Sequence, residues 1–187
     1  MGNSSRGQTT LFLALTLIVL GAVLRFLPHP ANVSPIAALA LFAGVTLRRW
    51  TSFLVPLGAM VLSDAVIGFH PLIWATWGSF LLVGCIGIWV RRQTTFKRIV
   101  LGSLAASLLF SILTNWAVWA YTPLYAKTFS GLLACYVAAI PFFRNTLLGD
   151  LAYSGVFFGL YAGITVVLAR RTQPTIPIAH NNDHSHP

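Results

Sequence analysis

Glutamate is absent from this chain, and acidic residues number only three against twelve Lys and Arg. Charged residues of both signs make up 8% of a sequence that is 57% hydrophobic, with a mean hydropathy of +0.79. That balance excludes a soluble globular domain and points to a polytopic membrane protein. Cysteine is scarce too. Cys85 and Cys135 both fall in apolar stretches, without CxxC spacing or a His at zinc-finger distance, which argues against a disulfide framework or a structural zinc site. Gly-Lys-Ser/Thr nucleotide loops, HExxH and GxSxG motifs do not occur. A lone Asp with no second acid or base beside it in sequence makes a poor catalytic dyad. The expectation is therefore a protein that is not an enzyme, with no cofactor and no metal site.

What is present is a series of apolar spans separated by basic residues. The net charge of +9 is carried by residues between spans, so it reads as a topology signal rather than a nucleic-acid footprint. Six spans are predicted: about Thr9–Leu27, Pro35–Leu47, Ser52–Phe69, Leu72–Val90, Ile99–Tyr121 and Asn145–Ala169. The first has no small-residue cleavage pattern after it and reads as an uncleaved helix. The second is short for a hydrocarbon core of about 30 Å. Phe129–Phe143 is ended by Pro141 and reads as a short lateral or re-entrant helix. The expected fold class is all-α: a bundle of six transmembrane helices plus that short helix over residues 1–171, followed by a disordered cytoplasmic tail, 172–187. The tail's His180, His184 and His186 read as part of a disordered segment rather than a metal site.

The positive-inside rule orients the bundle. With the N-terminus inside, one face collects Arg6, Arg48, Arg49, Arg91, Arg92, Lys97, Arg98, Arg170 and Arg171, and the other only Arg25, Lys127 and Arg144. Both termini are then cytoplasmic, and the expected location is the bacterial inner membrane. In this topology the unexplained polar residues converge on the outer third, as a solute pocket requires.

Asp64 leads that set. It lies in the apolar run Phe53–Phe69, where an acid costs roughly 2.5–3.5 kcal/mol on insertion scales, and a carboxylate kept there needs a partner or a water-filled cavity. Arg144 is the expected partner, either as part of a site or as an ion pair tying span three to span six. Asp150 reads first as a helix-dipole acid in the opening turns of span six, with Asn145 and Thr146 capping, and second as a ligand contact. Arg25 reads as a snorkelling side chain. His29, held between Pro28 and Pro30, and Asn32 belong to the outer loop after span one; His70 is a turn residue before Pro71. Asn115, Trp116 and Trp119 lie in the outer part of span five, where the indoles line a cavity or form the interfacial aromatic belt. Small residues recur at Ala40 and Gly44, at Ser103, Ser107 and Ser111, and at Gly155, Gly159 and Gly163. These stripes are expected to serve mostly intramolecular helix packing.

Four stretches carry a family resemblance: Arg25-Phe-Leu-Pro-His29-Pro-Ala-Asn32 through Gly44, Leu62-Ser-Asp64-Ala-Val-Ile-Gly68-Phe-His70, Thr114-Asn115-Trp116-Ala-Val-Trp119, and Gly131 through Asp150. Together, over about Arg25 to Leu168, they resemble an uncharacterised bacterial family of six-helix membrane proteins classed with transporters. That family is similar to the S components of energy-coupling factor (ECF) transporters, and more distantly to solitary cobalamin transporters of the BtuM type. The resemblance implies uptake of a vitamin-like or metal-containing solute, cobalamin-type solutes included, bound at the outer face. It implies docking on an ECF coupling subunit with ATPases. Its motifs carry His29, Asn32, Asp64, Asn115, Arg144, Asn145 and Asp150 as binding residues, to which position adds His70, Trp116 and Trp119. The expected partners are the lipid bilayer, a small solute and that coupling module, with no nucleic acid. The alternatives are a non-transporting structural or assembly protein, or a membrane-embedded enzyme.

Overall fold

A computed structural model describes residues 2–28, 30, 32–47 and 49–171. The described chain is all-helical, with six α-helices, one 3-10 turn and no strand. They are α1 (Gly2–Leu24), α2 (Ile36–Thr46), α3 (Arg49–Ile67), α4 (Ile73–Val90), α5 (Phe96–Tyr121) and α6 (Phe129–Arg171), with the 3-10 turn at Arg91–Gln93. Four of these helices, α3 to α6, are long and apolar enough to cross a membrane. Large apolar side chains such as Leu108, Ile112, Val137, Ile140, Val156 and Leu160 face outward, as a lipid-facing surface requires. His180, His184 and His186 lie outside the described residues, as do His29 and Arg48.

The short second helix is the centre of the bundle. Ile36 to Val45 are all buried, and α2 touches every other helix. Its 11 residues rise only about 17 Å, little more than half of a hydrocarbon core. Its close fit to α4 depends on glycine: a Cβ on Gly87 would stand 2.4 Å from the Leu41 carbonyl oxygen. At its C-terminus the Arg91 guanidinium donates to the Leu47 carbonyl at 2.6 Å, pairing a cation with the negative end of the helix. Phe42 packs its ring against Phe157, Phe158 and Tyr161 of α6.

Residues 129–143 are not a separate element. They continue through Pro141 into one 43-residue helix, α6. The expected break rested on Pro141, but a proline removes only one donor and adds a local clash, which a bent helix accommodates. The pairing with α5 shows why a bend is needed. Ser103 meets Ser154 and Ser107 meets Asp150, while Tyr136 reaches the Ile112 carbonyl and Cys135 the Asn115 carbonyl. Between the two sets α6 rises about 21 Å and α5 only about 8 Å, so α6 steps away from α5 around Pro141.

The small-residue stripes divide. Gly44 is packed against Gly84 and Gly87; Ser103 and Ser107 are buried against α6. Gly155, Gly159 and Gly163 have open space where a side chain would go. The expectation of intramolecular packing holds for the first two and fails for the third, because the covered face of α6 carries Ser154, Phe157 and Phe158 instead.

Candidate functional site

The C-termini of α1, α3 and α5 and the N-termini of α2 and α4 meet at one end of the bundle, which we call the Asn32 end. Because α2 stops there at Ile36, the core above it is open. Two cavities occupy that space. The first, about 220 Å³, is lined by Arg25, Asn32, Val33, Ser34, Ala37, Met60, Thr76, Phe80, Phe110, Thr146 and Asp150. The second, about 240 Å³, lies between α5 and the bent part of α6 and includes Ser111, Thr114, Asn115, Phe142 and Phe143. Asn32, Thr76, Phe110 and Thr146 line both, so the two are adjoining lobes.

Asp64 stands behind the first lobe. It occupies the last turn of α3, where the Gly68 N–H donates to its carbonyl oxygen at 2.8 Å and Gly68, at φ 110°, turns the chain. Its side chain is 2% exposed and both oxygens are engaged. Arg25 Nη1 reaches Oδ1 at 2.5 Å, and Trp77 Nε1 donates to Oδ2 at 2.9 Å. The same Nη1 also contacts Ser63 Oγ and the Met60 sulfur. The cation on Asp64 is thus Arg25, not Arg144, which corrects the expected pair. Arg25 follows α1 directly and turns inward over α3, whereas Arg144 lies on an exposed face of α6. Among the described residues, Arg25–Asp64 is the only ion pair.

Asp150 is 2% exposed, and its Oδ2 accepts from Ser107 Oγ at 2.7 Å. Its expected place in the first turns of a helix is overturned, since α6 begins at Phe129 and Asp150 is mid-helix. The helix dipole is felt only within the end turns, so it does not account for an acid here.

The other expected site residues separate. Asn32 lines both lobes and adopts φ 63°, a left-handed conformation that Asn tolerates better than most residues. Asn115 lines the second lobe while its amide donates to the Ser111 carbonyl at 2.8 Å. His70 is exposed, Asn145 is half-buried, and neither lines these lobes. Trp116 packs edge-on against Tyr121, as does Trp74. Trp119 Nε1 donates to the Ala126 carbonyl at 2.9 Å. The indoles therefore do not line the cavity; Phe80 and Phe110, stacked at 5.1 Å, do, with Phe142 and Phe143. Sequence reasoning missed these phenylalanines and Thr76, Thr114 and Thr146. One signal was available: Ser107, Ser111, Thr114 and Asn115 recur at helical spacing along one edge of α5, a polar edge rather than a plain small-residue stripe. Cys135 is buried against the Asn115 carbonyl. No cluster of three His, Cys, Asp or Glu occurs among the described residues.

A family model described as a family of unknown function (DUF6580) matches residues 5–174. The chain belongs to that family. No curated protein and no solved structure matches it. The DUF6580 match covers both lobes and the Arg25–Asp64 pair.

Proposed function

We propose that this DUF6580 protein is a six-span protein of the bacterial inner membrane, with both termini cytoplasmic, that binds a small solute at its outer face for uptake in the manner of an ECF S component. The observation that carries this reading is the polar cavity above the short central helix. A membrane protein gains nothing in packing from an open core at that depth, and side chains that converge on one apolar-walled space with a few polar groups are what solute recognition needs. Both basic-residue distribution and the polar lining favour the Asn32 end as the outer one.

In this reading Arg25 and Asp150 present polar groups to the solute, Asn32 guards the entrance, and Phe80 and Phe110 form an apolar wall. Asp64 and Trp77 hold Arg25 in place rather than touching the solute. The lobes suit a compact molecule; a corrinoid is several times larger than either, so we set the cobalamin-type solute aside. The chain carries no nucleotide-hydrolysing motif, so energy comes from a partner module or an ion gradient.

Uptake by cells expressing Arg25→Gln or Asp150→Asn tests the proposal, with protein level in the membrane measured in parallel. Loss of uptake at an unchanged protein level is expected. Normal uptake in both variants would overturn the site. The engagement of both Asp64 oxygens favours a second reading, a structural protein in which Arg25–Asp64 is only a tie. It expects no solute to bind, Arg25→Gln to lose folded protein, and Asp150→Asn to leave the protein level unchanged.

A further inference from the structure

Resting on that reading, we infer that the solute is a small dipolar molecule carrying an acid group at one end and a basic nitrogen at the other. The first lobe has walls of opposite character. One wall holds Arg25, whose Nη1 makes every hydrogen bond seen for its guanidinium. Nε and Nη2 make none to the described residues, and the side chain is 20% exposed where it lines the lobe. A guanidinium with Nη1 fixed and its Nε–Nη2 edge unbonded among the described residues is suited to a carboxylate or phosphate.

The start of α2 lies beside both walls, since Val33 packs against Gly149, next to Asp150. Val33, Ser34 and Ala37 line the lobe. The first-turn N–H groups of a helix lack intrahelical acceptors and form its positive end. The Ile36 N–H is taken by Ser34 Oγ, so the helix start adds a positive field to the lobe as a whole and Arg25 is the group that addresses the anion.

The other wall holds Asp150. Ser107 gives its Oδ2 one neutral hydrogen bond, and no Arg, Lys or His of the described residues pairs with it. Among the described residues no buried side-chain oxygen lacks a partner and no bond to Oδ1 is found, so Oδ1 keeps some exposed surface on a residue that lines the lobe. A buried acid is matched by a cation or by hydrogen-bond donors, and an ammonium or amidinium on the solute supplies both. Phe80 of α4 and Phe110 of α5 also line the lobe, on helices that stand between α3 and α6 around α2, and suit a short apolar spacer. The volume of about 220 Å³ limits that spacer to a few carbons.

Mass spectrometry of small molecules released from the gently purified full chain is the first measurement. A solute with both an acid group and a basic nitrogen is expected. A released solute lacking either overturns this inference while leaving the uptake reading standing. The second measurement is calorimetric titration of the purified chain with ω-amino acids from 3-aminopropanoate to 6-aminohexanoate, each against the alkylamine and the carboxylate of equal length. One chain length should bind at least about ten-fold more tightly than both its single-ended analogues. Asp150→Asn, which keeps the shape and the Ser107 contact, should erase the preference over the carboxylate, while the carboxylate itself binds at least as tightly as before because a like charge is gone from the lobe. Equal affinities, or a preference that survives Asp150→Asn, overturn the inference. If no solute is released and none of the probes binds, this inference is overturned, and the uptake of the Arg25→Gln and Asp150→Asn variants decides the reading beneath it.

Discussion

Arg25 has two duties that mutation can separate. Asp64→Asn removes the counter-charge from a guanidinium that keeps only a fifth of its side chain exposed. The expected cost is about 3 kcal/mol, the low end for breaking a buried pair, read as a lowered unfolding midpoint in detergent. Replacing both partners by apolar residues, Arg25→Met with Asp64→Leu, should recover most of that stability and still abolish solute binding. Uptake at the unmutated rate by the double variant would assign the pair a structural role alone. Asn32 offers a second contrast, because its φ of 63° strains a β-branched residue but not glycine. Asn32→Val should lose about 1–3 kcal/mol; Asn32→Gly should fold normally and bind solute more weakly.

The helices differ in how much their glycines matter. Gly87→Ala drives a methyl into the Leu41 carbonyl on α2, and overpacking of that kind costs about 1–3 kcal/mol. Gly159→Ala meets nothing and should leave the unfolding midpoint within experimental error. Equal effects in the two variants would contradict the α2–α4 packing. Pro141→Ala restores the N–H that α6 lacks and removes the ring clash that favours the bend. A protein at least as stable, with weaker solute binding as α6 closes on α5, is the expected outcome. Unchanged binding would show that the second lobe does not depend on the bend.

For the whole molecule, topology is the open measurement. In a background lacking Cys85 and Cys135, single cysteines at Thr94 and Thr128 sit at opposite ends of α5, both on exposed positions. A membrane-impermeant thiol reagent applied to intact spheroplasts should label Thr128→Cys, and Thr94→Cys only after permeabilisation. The reverse pattern would invert the bundle and put the cavity on the cytoplasmic side.

Much of the fold was legible in the chain. Apolar runs bounded by Pro and paired basic residues mark four of the six helices to within a few residues at their ends; α1 begins at Gly2 rather than the expected Thr9, and α6 at Phe129 rather than the expected Asn145. Hydropathy depends only on composition along a span, so it survives without knowledge of neighbours. Asp64 was legible as a residue needing a partner, because burial of an acid in an apolar helix is costly wherever that helix packs. Which cation answers it was not. Arg25 and Arg144 are both basic residues at span ends, and only the inward turn after α1 brings one of them onto Asp64. The same limit hid Asp150, whose place in mid-helix depends on Pro141 bending α6 rather than ending it. The sequence by itself determined an all-helical membrane chain with its polar residues gathered towards one end. Tertiary structure alone decided that a half-length α2 stands at the centre and leaves the core above it open, because the space over a helix end depends on what surrounds it.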